Sequence, residues 1–261
     1  MHNTRLPAVA GMFYPANAQE LNTILDQFLA QTKTEASVPK AIIAPHAGYV
    51  YSGPIAASVY AQLAPARDTI KRVVLLGPSH RFPLNGLAAS GMSQFATPLG
   101  EIPIDTQAIN ELLTLPQVSV LEQAHAQEHS LEVQLPFLQK VLGDFKLIPL
   151  VVGEARPEQV SEVLDKLWGG AETVIVISSD LSHYHDYQTA QQMDKRTSQA
   201  IENLRFEEIK HDQACGRNPV NGLLLMAQKR GMQAKTIDLR NSGDTAGSKD
   251  QVVGYGAYVF H

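Results

Sequence analysis

The chain has one cysteine, Cys215, in 261 residues. No intramolecular disulfide can staple it, so the fold must stand on its core, as in a reducing compartment. No apolar run approaches the roughly 20 residues of a membrane-spanning helix. Positive charge is in deficit, with 21 lysines and arginines against 26 aspartates and glutamates and a net charge of -5. No long run of one sign occurs, which removes the basic footprint of nucleic-acid binding. Repeats and low-complexity tracts are absent. The first residues, MHNTRLPAVAGMFYPA, lack the continuous apolar core of a secretory signal. These absences predict a soluble, cytoplasmic protein with neither membrane nor nucleic acid as partner. The polar stretch QTKTEASVPK at 31–40 is too short to link domains. We therefore expect one domain over 1–261, and a hydrophobic share of 44% is ample for its core.

What is present is a rhythm of buried strands and amphipathic helices. Short continuous apolar runs at 41–44, 72–76, 146–152 and 173–178 read as strands covered on both faces. Helical spacing falls at 20–30, where Leu21, Ile24, Leu25, Phe28 and Leu29 share a face, and at 54–63, 130–142, 157–167, 189–204 and 218–230. Two late strands, 234–239 and 252–260, complete the set, and 82–104 reads as a hairpin excursion. Strands alternating with helices predict a three-layer α/β/α fold with a mixed, largely parallel central sheet.

The histidines fall where such a sheet forms sites. His46 follows the 41–44 strand and His80 follows the next one. Asp180 and His183 follow the 173–178 strand. Ligands of open α/β sheets bind outside the carboxyl ends of the strands. A lone loop histidine is ordinarily a satisfied polar group, but three strand ends bearing metal- or proton-binding groups predict one shared polar site. His183 has the chemistry of a general acid or base, with Asp180 either orienting it or capping a helix. Asp244, in the loop LRNSGDTAGSKD after another strand, would complete a set of two histidines and one carboxylate. That set suits non-haem Fe(II), and zinc uses the same ligand types.

The string HAQEH, His125 to His129, matches H-x-x-E-H, the inverted zinc-protease pattern. The helix that follows starts near Ser130, which leaves His125 in a preceding loop and out of register. Glu128 and His129 then face the cleft of His46. Cys215, just before a helix, reads as a packed thiol rather than a nucleophile, because no adjacent base can be placed.

The blocks PAVAGMFYP, APHAGYVYSG, LLGPSH, EHSLEVQLPFL and SSDLSHY, with the final Gly-rich strand, resemble in order the Memo family. In bacteria and archaea its members are called AmmeMemoRadiSam system protein B. The resemblance runs from about Pro7 to the C-terminus. It implies the LigB-like fold of class III extradiol dioxygenases. It also implies a metal held by His46, His80 and Asp244, with Fe(II) the first candidate and zinc or copper the others. His183, with Asp180, matches the family's catalytic motif. Tyr51, Glu128 and His129 fall on motifs that we assign to substrate binding. Animal members carry a cysteine at the third ligand position, where this chain is read to have Asp244, which argues against copper or thiol redox chemistry. The resemblance implies a metal-dependent oxidoreductase acting on a small, unidentified substrate, with a radical-SAM protein and an AMMECR1-domain protein as functional associates. The rival readings are a non-catalytic adaptor for a ligand or phosphopeptide and a zinc-dependent hydrolase.

Overall fold

The computed structural model describes residues 3–35 and 37–261. Met1 and His2 of the amino-terminal stretch and Ala36 of the 31–40 loop lie outside them. The elements are, in order, β1 (Thr4–Arg5), α1 (Ala18–Ala30), β2 (Ala41–Ala44), α2 (Tyr49–Tyr60), β3 (Arg72–Pro78), β4 (Leu87–Ala89), β5 (Gln94–Thr97) and β6 (Gly100–Pro103). Then come α3 (Thr106–Leu112), β7 (Val118–Val120), α4 (Glu122–Ala126), α5 (Leu135–Val141), β8 (Lys146–Val152) and α6 (Pro157–Leu167). The chain closes with β9 (Thr173–Ser178), β10 (His183–His185), α7 (Tyr187–Glu202), α8 (Arg217–Lys229), β11 (Ala234–Asn241) and β12 (Val252–Phe260).

The central sheet is mixed around a parallel heart. Strands β2, β9, β3 and β8 lie side by side and parallel. Every residue of β2 and β9 is buried, as a sheet covered on both faces requires. Strand β12 joins β2 antiparallel and carries β11 and β10, while β4 joins β8 antiparallel and carries β7. Helices α1, α2 and α5 pack together on one side, and α6 and α8 pack together on the other, with α8 against β3 and β9. This is the three-layer α/β/α architecture expected. Among the described residues no helix is long and apolar enough to cross a membrane.

Three local expectations change. Helix α2 begins at Tyr49 and runs through Pro54, because Tyr49, Ser52, Ile55, Ala56 and Val59 form a buried face that outweighs the missing N–H. The single helix expected over 130–142 is a 3-10 turn at Glu132–Gln134 followed by α5, which starts with Pro136 in its first turn. The excursion at 82–104 divides, with β4 entering the main sheet. The hairpin β5–β6 instead forms a small separate sheet with β1.

Register then positions the site. Ala44 of β2 lies beside Ser178 of β9, and Leu76 of β3 lies beside Ile177. Three neighbouring strands therefore end nearly level, and His46, Asp180 and His80 each follow two residues past an end.

Candidate metal centre

His46 and His80 meet at this edge with ring centroids 5.1 Å apart. His129 joins them, stacked on His80 at 4.6 Å and edge-on to His46 at 5.5 Å. Gly77 in β3 makes that approach possible, since a Cβ there would lie 2.8 Å from Ser130 Oγ and block the segment carrying His129. On the far side, Gly216 lets the start of α8 press onto β9. A Cβ at Gly216 would lie 2.7 Å from the Ser178 carbonyl oxygen. That contact delivers Cys215, whose Sγ lies 3.3 Å from His46 Nε2.

Hydrogen bonding fixes the imidazole tautomers. The Ser178 hydroxyl donates its one proton to the Ser130 carbonyl at 2.6 Å and accepts from Gln134 Nε2 at 2.7 Å. The Gln134 amide is itself oriented by donating to the Pro45 carbonyl. His46 Nδ1, 2.9 Å from Ser178 Oγ, must then be the donor. His80 Nδ1 donates to Glu128 Oε1 at 2.8 Å, and His183 Nδ1 donates to the Leu181 carbonyl at 2.8 Å. In a neutral ring held this way Nε2 is the acceptor atom, and at His46 it faces the Cys215 thiol. A second N–H tied to a hydroxyl, carboxylate or carbonyl is how ligating histidines are held. One ligand atom each from His46, His80 and Cys215 lies within 4.8 Å of the others, and so do atoms of His80, Glu128 and His129.

The electrostatics keep the bases neutral. Burial first, then the charges of His80, His129 and His183, hold the His46 imidazole well below its usual pKa. Burial and His80 lower His129 to about 4. Burial alone would raise Glu128, but hydrogen bonds from the His80 ring and from the backbone N–H groups of His80 and Ser130 hold it at about 2. Burial and the nearby Asp180 carboxylate push the Cys215 thiol up, so a metal would have to displace its proton.

Several expected roles move. Asp244 does not enter the site. It is exposed, its Oδ1 accepts from the Tyr187 hydroxyl at 2.5 Å, and its Oδ2 accepts from the Asn241 N–H at 2.9 Å. Cys215 is the residue that lies beside His46 and His80. Asp180 does not orient the His183 ring. Its Oδ1 accepts the His46 backbone N–H at 2.7 Å, and its Oδ2 lies 3.9 Å from His46 Nε2. Burial raises the Asp180 pKa, only partly opposed by that N–H. Glu128 is buried and engaged with His80 and Ser130, which makes it the orienter of His80 rather than a substrate contact.

His125 lies in α4 rather than in a loop. That helix ends at Ala126, so His125 and His129 share no helical face. The His125 ring is buried, donates from Nε2 to the Ala88 carbonyl and meets Phe95 edge-on. Tyr51, in the first turn of α2, is 39% exposed and lies with Tyr184 near the buried Tyr255 and Asp180. Ser178, Gln134 and Tyr255 carried no signal in the sequence. Cys215 carried a weak one, being the chain's single thiol at a helix start.

A family model described as "Memo-like protein" matches residues 5–259. A MEMO1 family protein of Aquifex aeolicus is 36% identical, covering 98% of each chain. The MEMO1 family protein SSO0066 of Saccharolobus solfataricus is 34% identical, over 98% of this chain and 99% of its own. The chain belongs to the Memo family. Among solved structures, an uncharacterized protein of Escherichia coli K12, JW3007, superposes with a TM-score of 0.55 at 14% identity. That superposition covers 84% of this Memo chain and 99% of the other. It speaks for the fold alone.

Proposed function

We propose that the chain is a metal-dependent oxidoreductase acting on a small molecule. His46 Nε2, His80 Nε2 and Cys215 Sγ would hold one metal ion, Fe(II) first among iron, zinc and copper. The observation that carries this reading is the convergence of two imidazoles, each held by a hydrogen bond at Nδ1, with a half-buried thiol, one ligand atom of each lying within 4.8 Å of the others. Two imidazoles and a thiol are soft to borderline ligands, which fit these metals and not magnesium or calcium. Bound there, the ion would supply Lewis acidity and, for iron or copper, one-electron redox capacity. Ser178 and Glu128 hold the two ligating rings in the ligating tautomer. His183, its Nδ1 proton committed to Leu181, offers Nε2 as the base that takes a substrate proton. Tyr51 and Tyr184 stand at the open side.

The test is elemental analysis of the anaerobically purified full chain. Iron in stoichiometric amount is expected in the wild type, in Asp244→Ala and in His183→Ala. It should be lost from His46→Ala, His80→Ala and Cys215→Ser. Stoichiometric zinc in place of iron would favour the hydrolase reading. No metal in any preparation would favour a non-catalytic adaptor for a ligand or phosphopeptide.

A further inference from the structure

Cys215 also lines a concavity of about 320 Å³. This sits at the lower end of the range for small-molecule pockets. One wall is apolar, from Pro78, Phe82, Leu84 and Val152. The other is polar and comes from the segment entering α8, with His211, Arg217 and Asn218. Ser79, next to His80 in the chain, and Cys215, whose Sγ lies 3.3 Å from His46 Nε2, also line it, which sets this space beside the candidate metal ligands.

Arg217 is the telling residue. It occupies the first position of α8, a helix of 13 residues, where the helix dipole disfavours a cation. Its charged partner among the described residues is Glu154, at 4.0 Å and 74% exposed. An exposed pair of that length contributes little and is readily given up. The Arg217 guanidinium makes no closer hydrogen bond among the described residues, which leaves its planar fork of donors open to the cleft. Asn218 beside it donates one amide N–H to the Gly153 carbonyl at 2.8 Å and has a second to offer. An anion set here would relieve the unfavourable placement of Arg217 and match its fork bidentately.

We propose that this cleft seats the carboxylate of a small substrate on Arg217. The substrate's apolar body lies along Phe82 and Leu84, and its reacting end reaches past Cys215 to the metal face. The inference rests on the metal-centre reading for its direction but not for its test, because the carboxylate seat exists without a metal. Benzoate is the probe, with benzamide as its neutral isostere and inorganic phosphate as the alternative oxyanion. Each is titrated calorimetrically into the full chain stripped of metal by chelation, which prevents the probe from ligating an ion. Benzoate is expected to bind in the millimolar range or tighter, with affinity that falls as salt rises, and benzamide is expected not to bind. Arg217→Gln should weaken benzoate at least about tenfold, which is what one hydrogen bond to a charged group is worth. Arg217→Lys, which keeps the charge and loses the fork, should fall between.

Unchanged melting temperature and unchanged metal stoichiometry on reloading show that both variants fold and that the metal centre stands apart from the seat. Equal binding of benzoate and benzamide, wild-type affinity in Arg217→Gln, or phosphate binding without benzoate would each overturn the carboxylate assignment while leaving the metal reading to its own assay.

Discussion

Two polar clusters meet along the segment from Glu128 to Glu132 and are built on opposite principles. Around Glu132, fully buried, every lone pair has a donor. Glu132 Oε2 accepts from Arg5 Nη1 at 2.7 Å and from the Ala8 N–H at 2.8 Å, and Oε1 accepts from the Val9 N–H at 2.9 Å and the Tyr14 hydroxyl at 2.7 Å. Arg5 also donates from Nε to the His125 carbonyl, from Nη2 to the Glu128 carbonyl and from Nη1 to the Leu6 carbonyl. This closed set pins the amino-terminal segment to the core and leaves nothing for a ligand. Around His46 and His80 each ring is held at Nδ1, while on the inner side His46 Nε2 meets only the Cys215 thiol. A saturated cluster is a lock, whereas one held mainly from its outer side suits the metal proposed above.

The largest effect expected from breaking this contrast is Glu132→Gln. It leaves the Arg5 guanidinium buried and unbalanced, which typically costs about 3–5 kcal/mol. Urea unfolding should show a loss of that size. Metal stoichiometry in the surviving folded fraction should be unchanged, because the Glu132 hydrogen bonds all go to the amino-terminal segment and none to His46 or His80. A loss under 1 kcal/mol would mean the lock is not one.

His125 belongs to the lock, and its effect is read in pH. Burial first, then the Arg5 charge, lower its pKa from 6.5 to about 4, against hydrogen bonding to Ala88. Between those values the unfolded chain holds a proton that the folded chain lacks. Stability contributed by the neutral ring is therefore full above pH 6.5, falls as pH drops towards 4, and levels off below. At roughly 1.4 kcal/mol per unit, the drop attributable to this ring is about 3 kcal/mol. His125→Asn should remove that slope. The readout is the difference in unfolding free energy between variant and wild type across this window, since His46 and His129 titrate in the same direction. A parallel pair of curves would show that His125 is not held neutral.

Much of this was legible in the sequence where burial is symmetrical. Strands 41–44, 146–152, 173–178 and 252–260 match to the residue, because a strand covered on both faces is a continuous apolar run bounded by polar residues. Strands of two or three residues, such as β1, β4, β7 and β10, are too short for any period and were not foreseen as strands. His46 and His80 were legible because the carboxyl-end rule names an edge of the sheet. The rule does not name the distance along that edge. The strand before Asp244, β11, also points its carboxyl end this way, but it lies beyond β12, two strand spacings or about 10 Å from β2. Cys215 arrives from the helical layer, through the close approach allowed by Gly216, and strand-end reasoning has no access to that layer.

On the receptor side, Glu128→Gln should weaken metal binding without removing it. The carboxylate holds the His80 ring by Nδ1 and its backbone N–H. Losing such an orienting group typically costs about 10- to 100-fold in metal affinity. Competition with a chromophoric chelator measures it. An unchanged affinity would show that His80 does not ligate through Nε2. Ser178→Ala, acting on the His46 ring, should fall in the same range, and a mirrored effect in the two variants would tie both rings to one ion.

The smallest effect sharpens the comparison most. Asp244 has a closed set of partners like Glu132, but at the surface. It accepts from Tyr187 and from Asn241 and closes a 3-10 turn at Ser242–Asp244. Removing an exposed hydrogen-bonded carboxylate costs about 0.5–1 kcal/mol, so Asp244→Ala should lower stability by no more than that. The hydrogen bond to Asp244 raises the pKa of the Tyr187 phenol, so in the variant that phenol should ionise at lower pH, which ultraviolet titration detects against Tyr187→Phe. Metal content should not change at all. If Asp244→Ala lost metal as fully as Cys215→Ser, the loop after β11 would have to close onto His46 and His80 when the ion binds. The third ligand would then be the carboxylate after all, and the thiol would be only its neighbour.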